Sequence, residues 1–154
     1  MTQNEVLKKL RYTFDYSDDE MIAIFKDGDK KVIRSEVSNW LKKDMDPHYE
    51  EMNDQELAHF LNGFIIKHRG RRDGPAPIAE KTMTNNVILR KIKIALSLRD
   101  DDMVAILENA GFNAGKHEIN ALFRKPGQRQ YRECMNQFLR NFMVGLQHTY
   151  RNDE

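Results

Sequence analysis

One thiol, Cys134, and five imidazoles are the groups with which this chain could do covalent or metal chemistry. A cysteine nucleophile needs a base that holds it as the thiolate. A lone cysteine just ahead of a helix reads instead as a small buried hydrophobe. Glu56-x-x-His59 has the helical spacing that di-iron carboxylate bundles use, but such a site needs a second Glu-x-x-His and the chain has none. His48, His68, His117 and His148 form no close ligand pair. No Gly-x-x-x-x-Gly-Lys-Ser/Thr loop, no Gly-x-Gly-x-x-Gly and no Gly-x-Ser-x-Gly is present. The expectation is a protein without catalytic, metal-binding or cofactor-binding residues, hence not an enzyme.

Anion binding is the better-supported chemistry. Ala23, a glycine turn at Gly28 and then Val37-Ser38-Asn39-Trp40-Leu41 resemble a helix-turn-helix, and Ala105, Gly111 and Ile119 repeat the pattern. The second helix of that motif carries Arg34, Ser35, Ser38, Asn39, Lys42 and Lys43 at polar positions. Its counterpart carries Lys116, Asn120, Arg124 and Lys125, with Arg129 just beyond. Arg34, Lys42, Lys43, Lys116, Asn120, Arg124 and Lys125 are therefore the candidate nucleic-acid contacts, since phosphate is met by such cations and amides. Two facts weigh against them. The connection is longer than the usual 3–4 residue turn, and the overall charge is close to neutral, which gives little electrostatic affinity for nucleic acid.

The elements that must position these residues are written twice. A shift of 82 residues lays 4–69 on 86–151 without a gap, with 17 identities in 66 positions. They include Asn4/Asn86, Asp19/Asp101, Glu36/Glu118, Lys43/Lys125, Tyr49/Tyr131, Gly63/Gly145 and Arg69/Arg151. In that register Glu56 and His59 become Phe138 and Asn141, so the metal pattern is not repeated. Gly70-Arg71-Arg72-Asp73-Gly74-Pro75-Ala76-Pro77 and the polar stretch to Asn85 break regular structure and read as a linker. The expected organisation is copy one over 1–69, a linker over 70–85 and copy two over 86–151.

Each copy reads as four helices. Val6, Leu7, Leu10 and Phe14 give the first an apolar stripe, matched by Ile88, Leu89, Ile92 and Leu96. Ser17-Asp18-Asp19-Glu20 is a capping box opening the second, lost in copy two where Arg99 and Asp102 stand; Gly28 and Gly111 should end it. The third is expected over Arg34–Lys43, burying Val37, Trp40 and Leu41, with Ile119, Leu122 and Phe123 as their counterparts in the other copy. The last, about Asp54–Lys67, presents Leu57, Phe60, Leu61 and Phe64, mirrored by Leu139, Phe142, Met143 and Leu146. Only Asp29–Ile33 leaves room for another conformation. Gly63 and Gly145 fall in mid-helix, where glycine costs about 1 kcal/mol relative to alanine, so another backbone should pass close by. The fold expected is all-α, a tandem duplication of a four-helix unit of about 70 residues. A unit of that size is marginal alone, so the two copies should pack together.

At this resolution the residues resemble the YehS-like family of uncharacterised bacterial proteins. The likeness rests on Phe60-Leu61-Asn62-Gly63-Phe64 with Lys67-His68-Arg69-Gly70, and on Asn85-Asn86-Val87-Ile88-Leu89-Arg90-Lys91-Ile92. It rests also on Tyr131-Arg132-Glu133-Cys134 leading into Gln137-Phe138-Leu139-Arg140-Asn141-Phe142. The resemblance implies two copies of a helical domain of unknown function and supplies no activity or catalytic residue to carry over.

Composition bounds the rest. The 154 residues carry a net charge of +1, 32% charged residues and a mean hydropathy of −0.75. Residues 1–69 hold 11 basic and 14 acidic groups, and residues 86–154 hold 11 and 8. That balance excludes a polybasic, histone-like binding mode. No apolar run reaches the roughly 18 residues a bilayer demands; the N-terminus lacks a signal peptide's features, and the single cysteine fits a reducing compartment. A cytoplasmic protein that binds a macromolecule is expected, a protein partner first, nucleic acid through the third helices second, and no membrane.

Overall fold

Threonine begins the first helix of each copy. In the computed structural model, which describes residues 1–151, Thr2 Oγ1 accepts the backbone N–H of Glu5 and Thr84 Oγ1 that of Val87, each at 3.2 Å. These are N-caps, which satisfy one of the four N–H groups a helix leaves open. The helices they start are α1 (Gln3–Phe14) and α5 (Asn85–Ala95). α5 begins one residue inside the expected linker. Both end at a left-handed residue near φ 55°, Asp15 in one copy and Ser97 in the other.

α2 (Asp18–Asp27) and α6 (Asp100–Asn109) follow. The Ser17/Glu20 capping box forms with both its bonds. Its counterpart is halved rather than lost: Asp102 still accepts the Arg99 N–H at 2.8 Å, while arginine has no acceptor to return the bond. Gly28 does not supply the left-handed turn. It sits at φ −83°, and Asp29, at φ 68°, takes the position that Gly111 fills at φ 77° in copy two. Asp29–Ile33 is irregular, and no strand occurs among the described residues.

α3 (Arg34–Leu41) and α7 (Lys116–Leu122) are short, and both stop before the expected end. Trp40 is buried against Phe25, ring centroids 5.3 Å apart. The last helices, α4 (Asp54–Arg69) and α8 (Asn136–Tyr150), bury the apolar stripes read from sequence.

Two internal devices are repeated almost atom for atom. Asn4, in the first turn of α1, is buried; its amide donates to the carbonyls of Trp40 (2.9 Å) and Glu50 (2.8 Å) and accepts the Met52 N–H (2.8 Å). Asn86 does the same with Leu122 (2.9 Å), Arg132 (2.8 Å) and Cys134 (2.8 Å). One buried side chain thereby pins the loop between the third and fourth helices onto the first. The second device is glycine. A Cβ on Gly63 would fall on the Ile24 carbonyl of α2, and one on Gly145 on the Ile106 carbonyl of α6. The mid-helix glycines let α4 cross α2, and α8 cross α6, backbone against backbone.

The copies pack reciprocally: α1 of copy one lies on α8 of copy two, and α5 lies on α4. This is the pattern of an isologous dimer, realised within one chain. Equivalent bonds cross the two halves of the interface. Arg69 donates to the Ile94 carbonyl at 3.4 Å and Arg151 to the Tyr12 carbonyl at 2.6 Å. A single core of buried side chains runs through both copies.

Candidate functional site

The seven candidate anion contacts are engaged differently in the two copies. Arg34, at the start of α3, is turned onto the start of α2, with its guanidinium 2.6 Å from Asp19 and 3.3 Å from Asp18. Lys116, at the start of α7, meets Asp101 at 2.6 Å. These two pairs are equivalent in the repeat. The contact holds Lys116 above the ordinary lysine range and Asp101 below the usual carboxylate range, each through its hydrogen bond to the other. The cations at 34 and 116, expected as phosphate ligands, thus tie the third helix to the second in each copy. Exposed pairs of this kind are screened by solvent and do little more than bias a loop.

Lys42 and Lys43 lie beyond the end of α3. Lys42 folds back to donate to Asn39 Oδ1 (2.6 Å) and Ser38 Oγ (3.3 Å), whereas Lys43 is exposed. Acidic residues surround it in the following loop: Asp44, Asp46, Glu50 and Glu51, with Met45 standing 96% exposed among them. The connections between α2 and α3 and between α6 and α7 each take six residues, so neither pair has the tight turn of a helix-turn-helix.

Copy two differs. Arg124 and Lys125 also lie past their helix, and they continue into a loop holding Arg129 and Arg132 with no acidic residue from 124 to 132. All four side chains are exposed, and none makes an ion pair among the described residues. Asn120, on the exposed face of α7, joins His117, Glu118, Arg124, Gln130 and Arg132 around a shallow cleft of about 290 Å³. Of the seven candidates, Asn120 and Arg124 line this cleft; Arg34, Lys42, Lys43, Lys116 and Lys125 do not. Arg132, half of which serves the fold through its carbonyl bond to Asn86, escaped the sequence reading because its copy-one equivalent is Glu50.

The thiol and the imidazoles of His59 and His148 have structural occupations. Burial pushes the Cys134 thiol up to about 12, far from a thiolate at neutral pH, and its sulfur faces the Met135 carbonyl at 3.8 Å. His59 Nδ1 bonds the Gly28 carbonyl at 2.7 Å, capping α2, and His148 Nδ1 bonds the Asn109 carbonyl at 2.8 Å, doing the same for α6. Among the described residues no three His, Cys, Asp or Glu side chains gather as metal ligands. No helix among them is long and apolar enough to cross a membrane.

Comparison with known proteins agrees with the duplication. The model of a family described as "Protein of unknown function (DUF1456)" matches residues 3–70 and again 85–152. The chain is 35% identical over 147 residues to the "Uncharacterized protein YehS" of Escherichia coli (strain K12), an alignment covering 95% of this chain and 94% of that protein. No solved structure matches it. The family model and the relative span both repeats, and the chain accordingly belongs to the DUF1456 family, of which it carries two tandem copies.

Proposed function

We propose that this is a non-enzymatic binding protein whose partner is another protein, engaged through the basic loop of copy two. One observation carries the reading: duplication has left two equivalent loops of different charge, Arg124–Arg132 with four basic and no acidic residues and Lys42–Glu50 with two basic and three acidic ones. A duplex-spanning protein needs a basic patch on both copies, and of the basic positions common to both, Arg34 and Lys116 are engaged by Asp19 and Asp101, and Lys42 by Ser38 and Asn39. A single, compact group of unpaired arginines beside a shallow cleft suits an acidic protein surface, because the guanidinium fork pairs carboxylates bidentately. Binding of nucleic acid by copy two alone is the second reading, favoured by the four unpaired cations at Arg124, Lys125, Arg129 and Arg132.

The test compares the wild type with a variant in which those four residues are alanine. Cross-linking in cells with nuclease treatment should yield a protein partner that survives the nuclease and is lost in the variant. Fluorescence anisotropy with mixed-sequence duplex and single-stranded oligonucleotides at low salt supplies the other arm. Micromolar oligonucleotide binding that the variant abolishes, with no nuclease-resistant partner, would replace the first reading by the second.

A further inference from the structure

The segment after α4 doubles back over it. Gly70 turns the chain at φ 80°, and fourteen residues' worth of strap later the Met83 N–H donates to Asp54 Oδ2, at the opposite end of α4, at 2.9 Å. Ala79 and Met83 are buried, and Glu80 pairs with Lys91 of α5 at 3.1 Å. Beneath the strap lies a cavity of about 300 Å³, walled on one side by Asn62, Ile65, Ile66 and Arg69, which share one face of α4, and on the other by Gly70 to Pro77. It is mainly apolar with a few polar groups and lies beside the junction of the two copies, as small-ligand sites commonly do.

Two polar groups at this cavity have no occupation. Asn62 is only 3% exposed; its Oδ1 accepts the Lys91 ammonium at 2.6 Å, which fixes the amide's orientation and leaves Nδ2 without a partner. A buried donor left unpaired is costly to the fold. The fold does not require it, because the equivalent residue on α8 is Val144. Arg72 is the second. Arg71 is taken up by Asp27 at 3.1 Å and Arg69 reaches the Ile94 carbonyl, while Arg72 has no ion pair or hydrogen bond among the described residues. Asp73 is the one carboxylate in the lining.

We propose that the strap cavity binds a small carboxylate with an apolar body, the carboxylate meeting Asn62 and Arg72 and the body lying among Ile65, Ile66, Pro75 and Pro77. This site is separate from the basic loop of copy two and does not depend on it.

Nitrogen-15 NMR of the full chain tests it, with hexanoate as probe and hexanol and hexylammonium as uncharged and oppositely charged controls. Hexanoate should shift the Asn62 side-chain amide and the Gly70 and Gly74 backbone amides saturably in the millimolar range. Hexanol should bind about tenfold more weakly and hexylammonium more weakly still. Arg72→Gln, on an exposed residue, should bring hexanoate down to the hexanol level without moving hexanol. Asn62→Val should abolish the response while the remaining spectrum stays that of the folded chain. Absence of a saturable shift overturns the proposal. So does a shift that spares Asn62 and tracks surface arginines, or one equal for hexanoate and hexanol and indifferent to Arg72→Gln.

Discussion

Replacing Gly63 by alanine sets helix propensity against packing. In an open helix the change gains about 1 kcal/mol, because glycine pays more backbone entropy on folding. Here the new methyl would land on the Ile24 carbonyl and press on the Gly28 N–H, so α2 must retreat from α4 by more than an ångström. Met21, Ile24 and Phe25 on α2 are fully packed, and the Phe25 and Phe60 rings stand 5.1 Å apart across this crossing. A gap of even 0.5–1 Å forfeits roughly a quarter to a half of each dispersion contact. Overpacking of a tight site costs about 1–3 kcal/mol, with the upper part of that range expected where the obstacle is backbone rather than a side chain that can turn away. After the propensity gain, Gly63→Ala should lose about 2 kcal/mol and lower Tm by about 4–8 °C. Urea unfolding followed by the fluorescence of Trp40, the sole tryptophan, reads the affected copy directly, since that ring packs against Phe25. A midpoint equal to or above the wild type would show that α2 and α4 do not cross at this glycine, and the packing argument would fail.

Two further outcomes follow from the same structure. Asn86→Leu leaves the Leu122 and Arg132 carbonyls and the Cys134 N–H without their partner, and at about 1–3 kcal/mol for a group left unpaired the loss should be about 3–5 kcal/mol; Asn4→Leu should match it within about 1 kcal/mol, and a neutral result for either in urea unfolding would refute the pinning role. His68, set between Phe14, Phe64 and the Tyr16 hydroxyl at 2.9 Å, is held below its ordinary pKa by burial first and by Lys67 second. Its unfolded form takes up a proton before the folded form does, so stability present above pH about 6.5 falls as the pH drops through the folded value; the urea midpoint should decline from pH 7.5 to 5.5 by less in His68→Gln than in the wild type, and equal declines would refute it.

How much of this was legible depended on the kind of signal. The duplication could be read because Asn4, Asp19, Gly63 and Arg69 recur at a fixed distance, and a gapless register needs no structural knowledge. The close crossing at Gly63 and Gly145 was likewise readable, since glycine in mid-helix has few other reasons to persist. Asn4 and Asn86 were visible only as an identity. An asparagine in a first helical turn reads as solvent-facing, and its burial comes from the loop around Met52 and Cys134 closing over it. Arg34 and Lys116 carry two meanings that the sequence does not separate. Their acidic partners, Asp19 and Asp101, are also repeated, so a matched charge in both copies signalled a repeated ion pair as well as it signalled a repeated ligand. The choice of partner for α1 was not legible at all: an apolar stripe shows that a helix buries a face and says nothing about what covers it. The strap cavity was hidden for a related reason, because Gly70 to Pro77 was read only as a break between units.

The reciprocal seating of α1 on α8 bears on how the chain is made. Synthesis runs from the N-terminus, and domains ordinarily fold as they emerge from the ribosome. Here α1 is released before the other seven described helices, yet the surface that covers it belongs to α8, the eighth of them; the Tyr12 carbonyl waits for Arg151, 139 residues downstream. Contacts of such long sequence separation are slow to form because the intervening loop must close first. α4, by contrast, meets α5 after a short strap, so half of the interface can be laid down while the rest is still being translated. The nascent chain therefore passes through a stage in which α4 and α5 have met and the outer face of α1 is bare, a window in which α8 of a completed neighbouring chain offers the same complementary surface and its exchange would yield an intertwined dimer.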